Sequence, residues 1–342
     1  MRELCLITGA SGFIGGRLAS RLRENGQPVR CLVRASSDTS LLEELGVEIA
    51  VGDLTDGRSL SRALDGCASV LHCGALVSDW ATVAEISAIN VDGTREMLRA
   101  AAAASVQRFV HISTTDVYGY PQVKEVDETY VASGFSNWYA QTKLEAEAQV
   151  RSAQAASALE TVILRPATVY GPGSKEVIGE IARAIQGRHM LLVDGGRANA
   201  GLCYVENLLD AALLALEHDA APGNAFNVSD GLDVSWRQLT DDLADALGCP
   251  RVRWSIPYAL ALGLGFSLEQ GYRLLRRATG LSSPALLSRQ AVQVLGREQV
   301  FSNRKLRETL GWEPRVGYES GLKTTVAWLE NEYLAPFESA HP

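Results

Sequence analysis

Thr8-Gly9-Ala10-Ser11-Gly12-Phe13-Ile14-Gly15-Gly16 lies between an apolar run, residues 4–7, and an amphipathic run, residues 17–25. The order reads as strand, tight turn, helix. Glycines at 9, 12 and 15 permit positive φ in the turn, approach of backbone to a ligand, and close packing of helix on strand. The helix N-terminus that follows presents unpaired N–H groups and the positive end of its dipole, which together suit a phosphate. The stretch reads as a pyrophosphate cradle; alone, it also reads as an ordinary tight connection.

On either side of this turn the chain alternates. Residues 28–33 read as a second strand, 41–45 as a short helical piece, and 48–51 as a third strand closed by Gly52-Asp53-Leu54. Residues 59–64 are helical in pattern, 69–73 a strand, 85–104 one long alanine-rich helix, and 108–113 another strand. A helix over 138–156, a strand over 160–164 and a late strand over 225–228 continue the series. Short apolar strands separated by helices imply right-handed crossovers and a doubly wound parallel sheet, an α/β fold of Rossmann type. Each motif then falls at the carboxyl end of a strand, where such sheets bind ligands.

Past Arg165 the chain is broken by Pro166, Gly171-Pro172-Gly173, Gly195-Gly196, Pro222-Gly223, Pro250, Pro257 and Pro284. The expected division is a nucleotide-binding domain over 1–165, with segments near 200–230 returning to it, and a smaller, mostly helical substrate region over 166–335. Residues 256–266 are almost all apolar and precede Arg273, Arg276 and Arg277. The run is too short to span a bilayer and reads first as a helix buried in the C-terminal lobe, with cations near its end. The second reading is an interfacial surface over 256–277 that admits a lipophilic substrate from a membrane.

The chain has 342 residues and a formal charge of −8. That balance, with a pI near 5.3, argues against a general nucleic-acid binder, which needs clustered Lys and Arg. The six cysteines, at 5, 31, 67, 73, 203 and 249, form no CxxC pair and no regular spacing with the histidines. Neither a metal site nor a disulfide framework is expected, and reduced thiols in a cytosol are the simpler reading. Met1-Arg2-Glu3 runs straight into a strand without a signal-peptide h-region, so the expected location is cytoplasmic.

Tyr139-Ala140-Gln141-Thr142-Lys143 places a phenol and an ammonium four residues apart on one helix face. A free tyrosine has a pKa near 10; a neighbouring ammonium stabilises the phenolate and lowers it. The ammonium can also hydrogen-bond ribose hydroxyls. The pair alone also reads as an exposed aromatic and a solvated charge. Val110-His111-Ile112-Ser113-Thr114-Thr115-Asp116-Val117-Tyr118-Gly119 is a strand ending in hydroxyls, one of which could hold a carbonyl oxygen while the tyrosine protonates it. Those hydroxyls can equally close the strand by bonding local backbone.

Together with Asn90-Val91-Asp92-Gly93-Thr94 and Arg165-Pro166-Ala167-Thr168-Val169-Tyr170-Gly171-Pro172-Gly173, these motifs resemble, in order, the extended short-chain dehydrogenase/reductase family, also described as NAD-dependent epimerases and dehydratases. The resemblance implies Tyr139 as general acid or base, Lys143 as its tuner and ribose ligand, Thr114 as donor to the substrate carbonyl, and Asn90 as active-site support. It further implies a cofactor held by Gly9, Ser11, Gly12, Phe13, Ile14 and Gly15 at the pyrophosphate, by Asp53 and Leu54 at the adenine, and by Ala75, Pro166 and Thr168 nearer the nicotinamide. NAD-preferring members end the second strand with an acidic residue; here Arg34-Ala35-Ser36-Ser37 stands there. Arg34 and Ser36 suit a 2′-phosphate, so NADP is favoured over NAD, with Asp38 as the residue that would reverse the preference.

Three substrate classes fit the resemblance. Nucleotide-sugar dehydratases carry Asp-Glu after the catalytic Thr, where this chain has Thr115-Asp116. Sugar-nucleotide members also place Arg-Asp before the motif that here reads Tyr204-Val205-Glu206-Asn207, with Arg197 displaced. The closer resemblance is to the 3β-hydroxysteroid dehydrogenase-like branch, through Leu71-His72-Cys73-Gly74-Ala75, Tyr204-Val205-Glu206-Asn207 and Phe301-Ser302-Asn303. It implies hydride transfer between NADP(H) and a secondary alcohol or ketone on a sterol, terpenoid, polyketide or β-keto acid. Val77, Trp80, Phe135, Trp138 and Trp254 are candidate apolar lining, or core. A dihydroflavonol- or cinnamoyl-type reductase is the third class. A non-catalytic nucleotide sensor has no need of Tyr139, Lys143 and Thr114. A homodimer through the helices over 85–104 and 138–156 is expected by the same resemblance.

Overall fold

The computed structural model describes residues 3–78, 81–119, 121, 123–132, 137–279 and 289–334. Seven parallel strands form the central sheet: β1 (Leu4–Thr8), β2 (Val29–Val33), β3 (Glu48–Val51), β4 (Cys67–His72), β5 (Arg108–Ile112), β6 (Glu160–Pro166) and β7 (Ala225–Val228). Their order across the sheet is β7-β6-β5-β4-β1-β2-β3, so the winding reverses between β1 and β4 and leaves a crevice at their carboxyl ends. β7 lies beside β6, with Phe226 opposite Leu164.

Alternation along each strand buries both faces. Cys5 and Ile7 join one apolar cluster and Leu6 the other; Leu71 and Val70, and Val110 and Phe109, divide the same way. The first cluster runs on into the C-terminal segments, where Trp236 and Trp312 are fully buried. Two small parallel pairs join those segments, Thr168–Tyr170 with Leu202–Tyr204 and Leu192–Val193 with Ser255–Ile256.

The elements over 48–51, 138–156 and 225–228 have the expected bounds. The long helix expected over 85–104 is broken into an α-helical turn, Val83–Ser87, a π-helical turn, Ala88–Gly93, and an α-helix, Thr94–Ala103. The wide turn contains Asn90, whose side chain bonds both backbone groups of Leu76; the fold departs from regular helix where a polar group is needed. The alanine-rich helix packs on the Trp138–Ala156 helix of the same chain, with Ala101 fully buried.

A second correction concerns the apolar run. Tyr258–Thr279 is helical, but it is not a buried helix: Leu260 is 62 % and Leu264 51 % exposed. Trp254 is 74 % exposed, so it lines no interior surface. Trp80 and Phe135 lie outside the described residues, as does Pro284. No helix among the described residues is long and apolar enough to cross a membrane. All six cysteines are unpaired.

Candidate active site

Gly9 ends β1 with φ +66°. A Cβ there would stand 2.8 Å from Gly74 N and 2.9 Å from the Cys73 carbonyl, at the end of β4, so the two strands meet across the crevice at a distance only glycine allows. A Cβ on Gly15 would run into the Gly9 carbonyl oxygen, which makes the helix start pack directly on the turn. Gly12 is the N-cap of the Phe13–Glu24 helix; no side chain caps that helix and its first turn holds no acidic residue. The end of the dipole thus lacks an internal counter-charge, and its amides suit an anion. Ser11 and Gly12 are exposed, with Phe13 and Ile14 half-buried. A Cβ on Gly173 would sit 3.0 Å from the Phe13 ring, so the loop after β6 closes against the same turn. These residues fit a dinucleotide pyrophosphate.

Behind the turn runs a buried relay that connects it to the tyrosine helix. The Gly74 N–H donates to Thr8 Oγ1 at 3.0 Å, and Thr8 Oγ1 lies 2.8 Å from His72 Nδ1. On its other side His72 Nε2 lies 3.0 Å from Thr94 Oγ1, which donates to the Asn90 carbonyl at 2.7 Å. Because the Thr94 proton is committed to Asn90, His72 Nε2 must be the donor and Nδ1 the acceptor, which is the neutral tautomer. Burial and the nearby Lys143 push the His72 pKa down to about 3, in agreement. Asn90 Nδ2 then donates to Thr142 Oγ1 at 3.2 Å, and Thr142 bonds the Tyr139 carbonyl at 3.0 Å.

Tyr139 and Lys143 sit one turn apart near the start of the Trp138–Ala156 helix, which Asn137 caps through Ala140 N at 2.6 Å. Lys143 is buried; its Nζ donates to the Ile112 carbonyl at 2.7 Å and lies 3.2 Å from His111 Nε2. Burial draws the ammonium down to about 8, partly opposed by Glu147. The same burial, with Lys143 and His72, holds His111 well below the usual imidazole range and therefore neutral.

The expected lowering of the tyrosine is not what this arrangement produces. Burial pushes the Tyr139 phenol up, and the Asp116 and Glu176 carboxylates push it further, while the charge of Lys143 is directed at Ile112 and His111. The phenol stays protonated at neutral pH and is poised as an acid.

Thr114 is extended and its Oγ1 accepts from Asp116 N at 3.2 Å, closing the strand end at the start of the Thr115–Tyr118 turn. Thr115 is buried and Thr114 half-buried, so of the two it is Thr114 that keeps access to the crevice. Arg34 and Ser36 are exposed beyond β2, and Arg34 lies close enough to Asp53 to stabilise its carboxylate. Asp53 Oδ1 accepts from Thr55 N at 2.8 Å and Thr55 Oγ1 at 2.7 Å, so that carboxylate also holds its own turn. Leu54 is half-buried near Gly74, and Ala75 follows it at the end of β4; Pro166 is buried at the end of β6 and Thr168 opens the next strand by donating to Gly201 O at 2.7 Å.

Sequence reasoning missed a charged network beneath these residues. Glu147, fully buried, accepts from Arg165 Nε at 2.8 Å and Nη2 at 2.6 Å, from Ser113 Oγ at 2.7 Å and from Arg151 at 2.6 Å. Arg165 Nη1 donates to the Tyr118 hydroxyl at 2.6 Å, and that hydroxyl donates to Asn227 Oδ1 at 2.6 Å. One signal was available: positions 139, 143 and 147 fall on one helix stripe. The other missed pair, His72 stacked on His111 at 5.4 Å, is marked by a histidine fourth in each of two neighbouring runs, SVLHC and RFVHIS.

Residues 5–229 match the family described as NAD dependent epimerase/dehydratase. The chain belongs to that family. It is an NAD(P)-dependent dehydrogenase/reductase of the extended short-chain type, similar over nearly its whole length to proteins of known activity. It is 33 % identical over 320 residues, 92 % of this chain and 93 % of the other, to the 4-hydroxy-2-methyl-3-oxo-4-farnesyl-3,4-dihydroquinoline-1-oxide ketoreductase of Stigmatella aurantiaca. It is 33 % identical to the 2-alkyl-3-oxoalkanoate reductase of Stenotrophomonas maltophilia, covering 93 % of this chain and 97 % of that protein. It is 30 % identical to a 3 beta-hydroxysteroid dehydrogenase/Delta 5-->4-isomerase of Mycobacterium tuberculosis, covering 97 % and 91 %. Among solved structures, a short-chain dehydrogenase/reductase superfamily protein from Agrobacterium tumefaciens with bound NAD superposes with a TM-score of 0.72 at 26 % identity, covering 98 % of this chain and 99 % of that one.

Proposed function

We propose that this dehydrogenase/reductase interconverts a ketone and a secondary alcohol on a lipophilic substrate of sterol, terpenoid, polyketide or β-keto acid type, with NADP(H) as cofactor. The observation that carries the reading is the placement of Tyr139: a half-buried phenol one helical turn from the buried Lys143 ammonium and tied through Thr142 and Asn90 to the relay behind the glycine turn. The nicotinamide, when bound, supplies or takes the hydride. Tyr139 Oη donates its proton to the oxygen that gains charge as the ketone is reduced, and takes it back in the reverse direction. Thr114 holds the same oxygen, and Lys143, one helical turn from Tyr139, holds a ribose hydroxyl of the cofactor. Asn90 positions this machinery by tying Leu76 to Thr142.

Lipophilicity is supported by the names of the farnesylquinoline and alkyl-oxoalkanoate reductases. It is supported also by Val77, 59 % exposed next to the Leu76 that Asn90 holds, and Trp138, 45 % exposed next to Tyr139. The stretch where sugar-nucleotide members grip a diphosphate is used internally instead: Asn199 bonds Leu232 O at 3.0 Å, and Asn207 bonds Asp230 at 2.9 Å. NADP is supported by exposed Arg34 and Ser36, and by Asp38, whose Oδ1 is taken by Ser40 N at 3.0 Å and Ser40 Oγ at 2.7 Å. The proposal includes a homodimer through the outer faces of the Thr94–Ala103 and Trp138–Ala156 helices; a monomer by light scattering at micromolar concentration overturns that part.

The test is NADPH oxidation with steroid ketones and long-chain β-keto acids, set beside turnover of UDP-glucose. Reduction of the ketones alone is expected. Turnover of the sugar nucleotide without the ketones overturns the reading.

A further inference from the structure

The inward face of the Tyr258–Thr279 helix holds Tyr258, Ala261, Leu262 and Gly265. Ala261 is fully buried against Val193 and Val292, and Gly265, one turn on, is buried as well. Four other apolar side chains stay outside that contact: Leu260 is 62 %, Leu264 51 %, Phe266 49 % and Leu268 47 % exposed. Leu260, Leu264 and Leu268 recur every fourth residue and form one stripe. Trp254, 74 % exposed, stands just ahead of the helix. Burying one such side chain is worth about 1.5–3 kcal/mol, so a helix that turns a stripe of three leucines outward is built to be covered by something else.

Charge identifies what covers it. Residues 250–300 hold seven arginines and no lysine against two glutamates, Glu269 and Glu298, in a chain whose net charge is −8. Cations flank the helix. The Arg289 guanidinium lies 5.4 Å from the centre of the Phe266 ring, and that of Arg297 4.4 Å from the Tyr258 ring. A second copy of the same face would set arginine against arginine, whereas an anionic lipid surface accepts apolar side chains and arginines together.

We propose that this face docks on anionic lipid, with the helix lying in the interface rather than crossing it. Leu260, Leu264, Leu268 and Trp254 enter the acyl boundary, and cations flanking the helix, Arg289 among them, meet the headgroups. Docking is a property of this face and does not depend on the substrate, so binding is measured without turnover.

The experiment is flotation of the NADPH-loaded full chain with vesicles of phosphatidylcholine alone and of phosphatidylcholine with phosphatidylglycerol. Flotation with the anionic vesicles only, reversed by added salt, is expected. Leu260→Ser/Leu264→Ser alters two exposed side chains of the stripe; it is expected to keep its melting temperature and ketone reduction and to lose at least about tenfold in vesicle affinity. Wild type that stays unbound with both vesicles overturns the proposal, as does a variant that floats as wild type does. A wild-type dimer that the variant converts to monomer, without flotation of either, assigns the face to a second copy and also overturns it.

Discussion

Lys143 Nζ lies 3.2 Å from His111 Nε2, and both groups are buried. The histidine is neutral and can only accept there, so the ammonium is held between two acceptors, His111 and the Ile112 carbonyl, at a depth that favours its neutral form. The ammonium is therefore kept where its charge weakens the fold.

The first prediction follows from that conflict. The Lys143 pKa falls from 10.5 to about 8 on folding. Between those values the unfolded chain holds a proton that the folded chain does not, so stability rises with pH through this window. Below pH 8 both states are charged and the folded one carries the whole penalty, roughly 2–4 kcal/mol at about 1.4 kcal/mol per unit. Lys143→Met is expected to abolish turnover yet melt at or above wild type at pH 7, with the gap closing as pH rises above 8. A variant that melts lower at pH 7 than at pH 10, relative to wild type, contradicts this.

Glu147 is the opposite case. Removing it strands Arg165, which is 5 % exposed, without its buried partner. Glu147→Ala is expected to lose about 3–5 kcal/mol of stability, read as a fall in denaturation midpoint. Glu147→Gln with Arg165→Met, which leaves neither charge buried, recovers much of it. Equal loss in the single and double variants would show that the ion pair is not the origin.

Gly9 and Gly12 separate fold from ligand. Gly9→Ala meets the Cys73 and Gly74 backbone at under 3 Å and forces a side chain to φ +66°, so it is expected to lower the melting temperature strongly. At Gly12 the nearest obstacle is the Gly9 carbonyl oxygen, 3.3 Å away, and φ is −95°. Gly12→Ala is expected to fold nearly normally but to bind NADPH at least about tenfold more weakly, because its methyl occupies the approach to the helix amides. Calorimetry and fluorescence titration read the two effects apart.

Arg34→Ala addresses the cofactor's phosphate. With the cation removed, NADPH is expected to lose about tenfold in affinity, the worth of one charge-assisted contact, while NADH changes little. A parallel loss for both cofactors would place Arg34 elsewhere than at the 2′-phosphate.

The strands and the tyrosine helix were legible in the sequence because apolar runs bounded by glycine and polar turns leave few alternatives; the Trp138–Ala156 helix and the Ala225–Val228 strand have their expected limits. The break at Asn90 was not legible, since Asn90 leaves regular helix to bond Leu76, a residue fourteen positions away. The direction of the Tyr139 shift was missed for a similar reason: spacing puts Lys143 near the phenol, but the depth of burial and the carboxylates of Asp116 and Glu176 come from other parts of the fold. At Leu260 and Leu264 apolar composition predicts burial, yet Tyr258, Ala261, Leu262 and Gly265 supply the packing face. Composition sets how much apolar surface a helix has; only tertiary contacts decide which way it turns.

The central claim is that Tyr139 supplies the proton while the rest of the crevice holds the cofactor. Tyr139→Phe removes one oxygen and leaves the ring, the Asn137 cap and the Lys143 contacts in place. Its turnover of a lipophilic ketone, followed by nicotinamide absorbance, is expected to fall by at least about a hundredfold, with the NADPH dissociation constant unchanged. Turnover equal to wild type in a variant that binds NADPH normally would contradict the account.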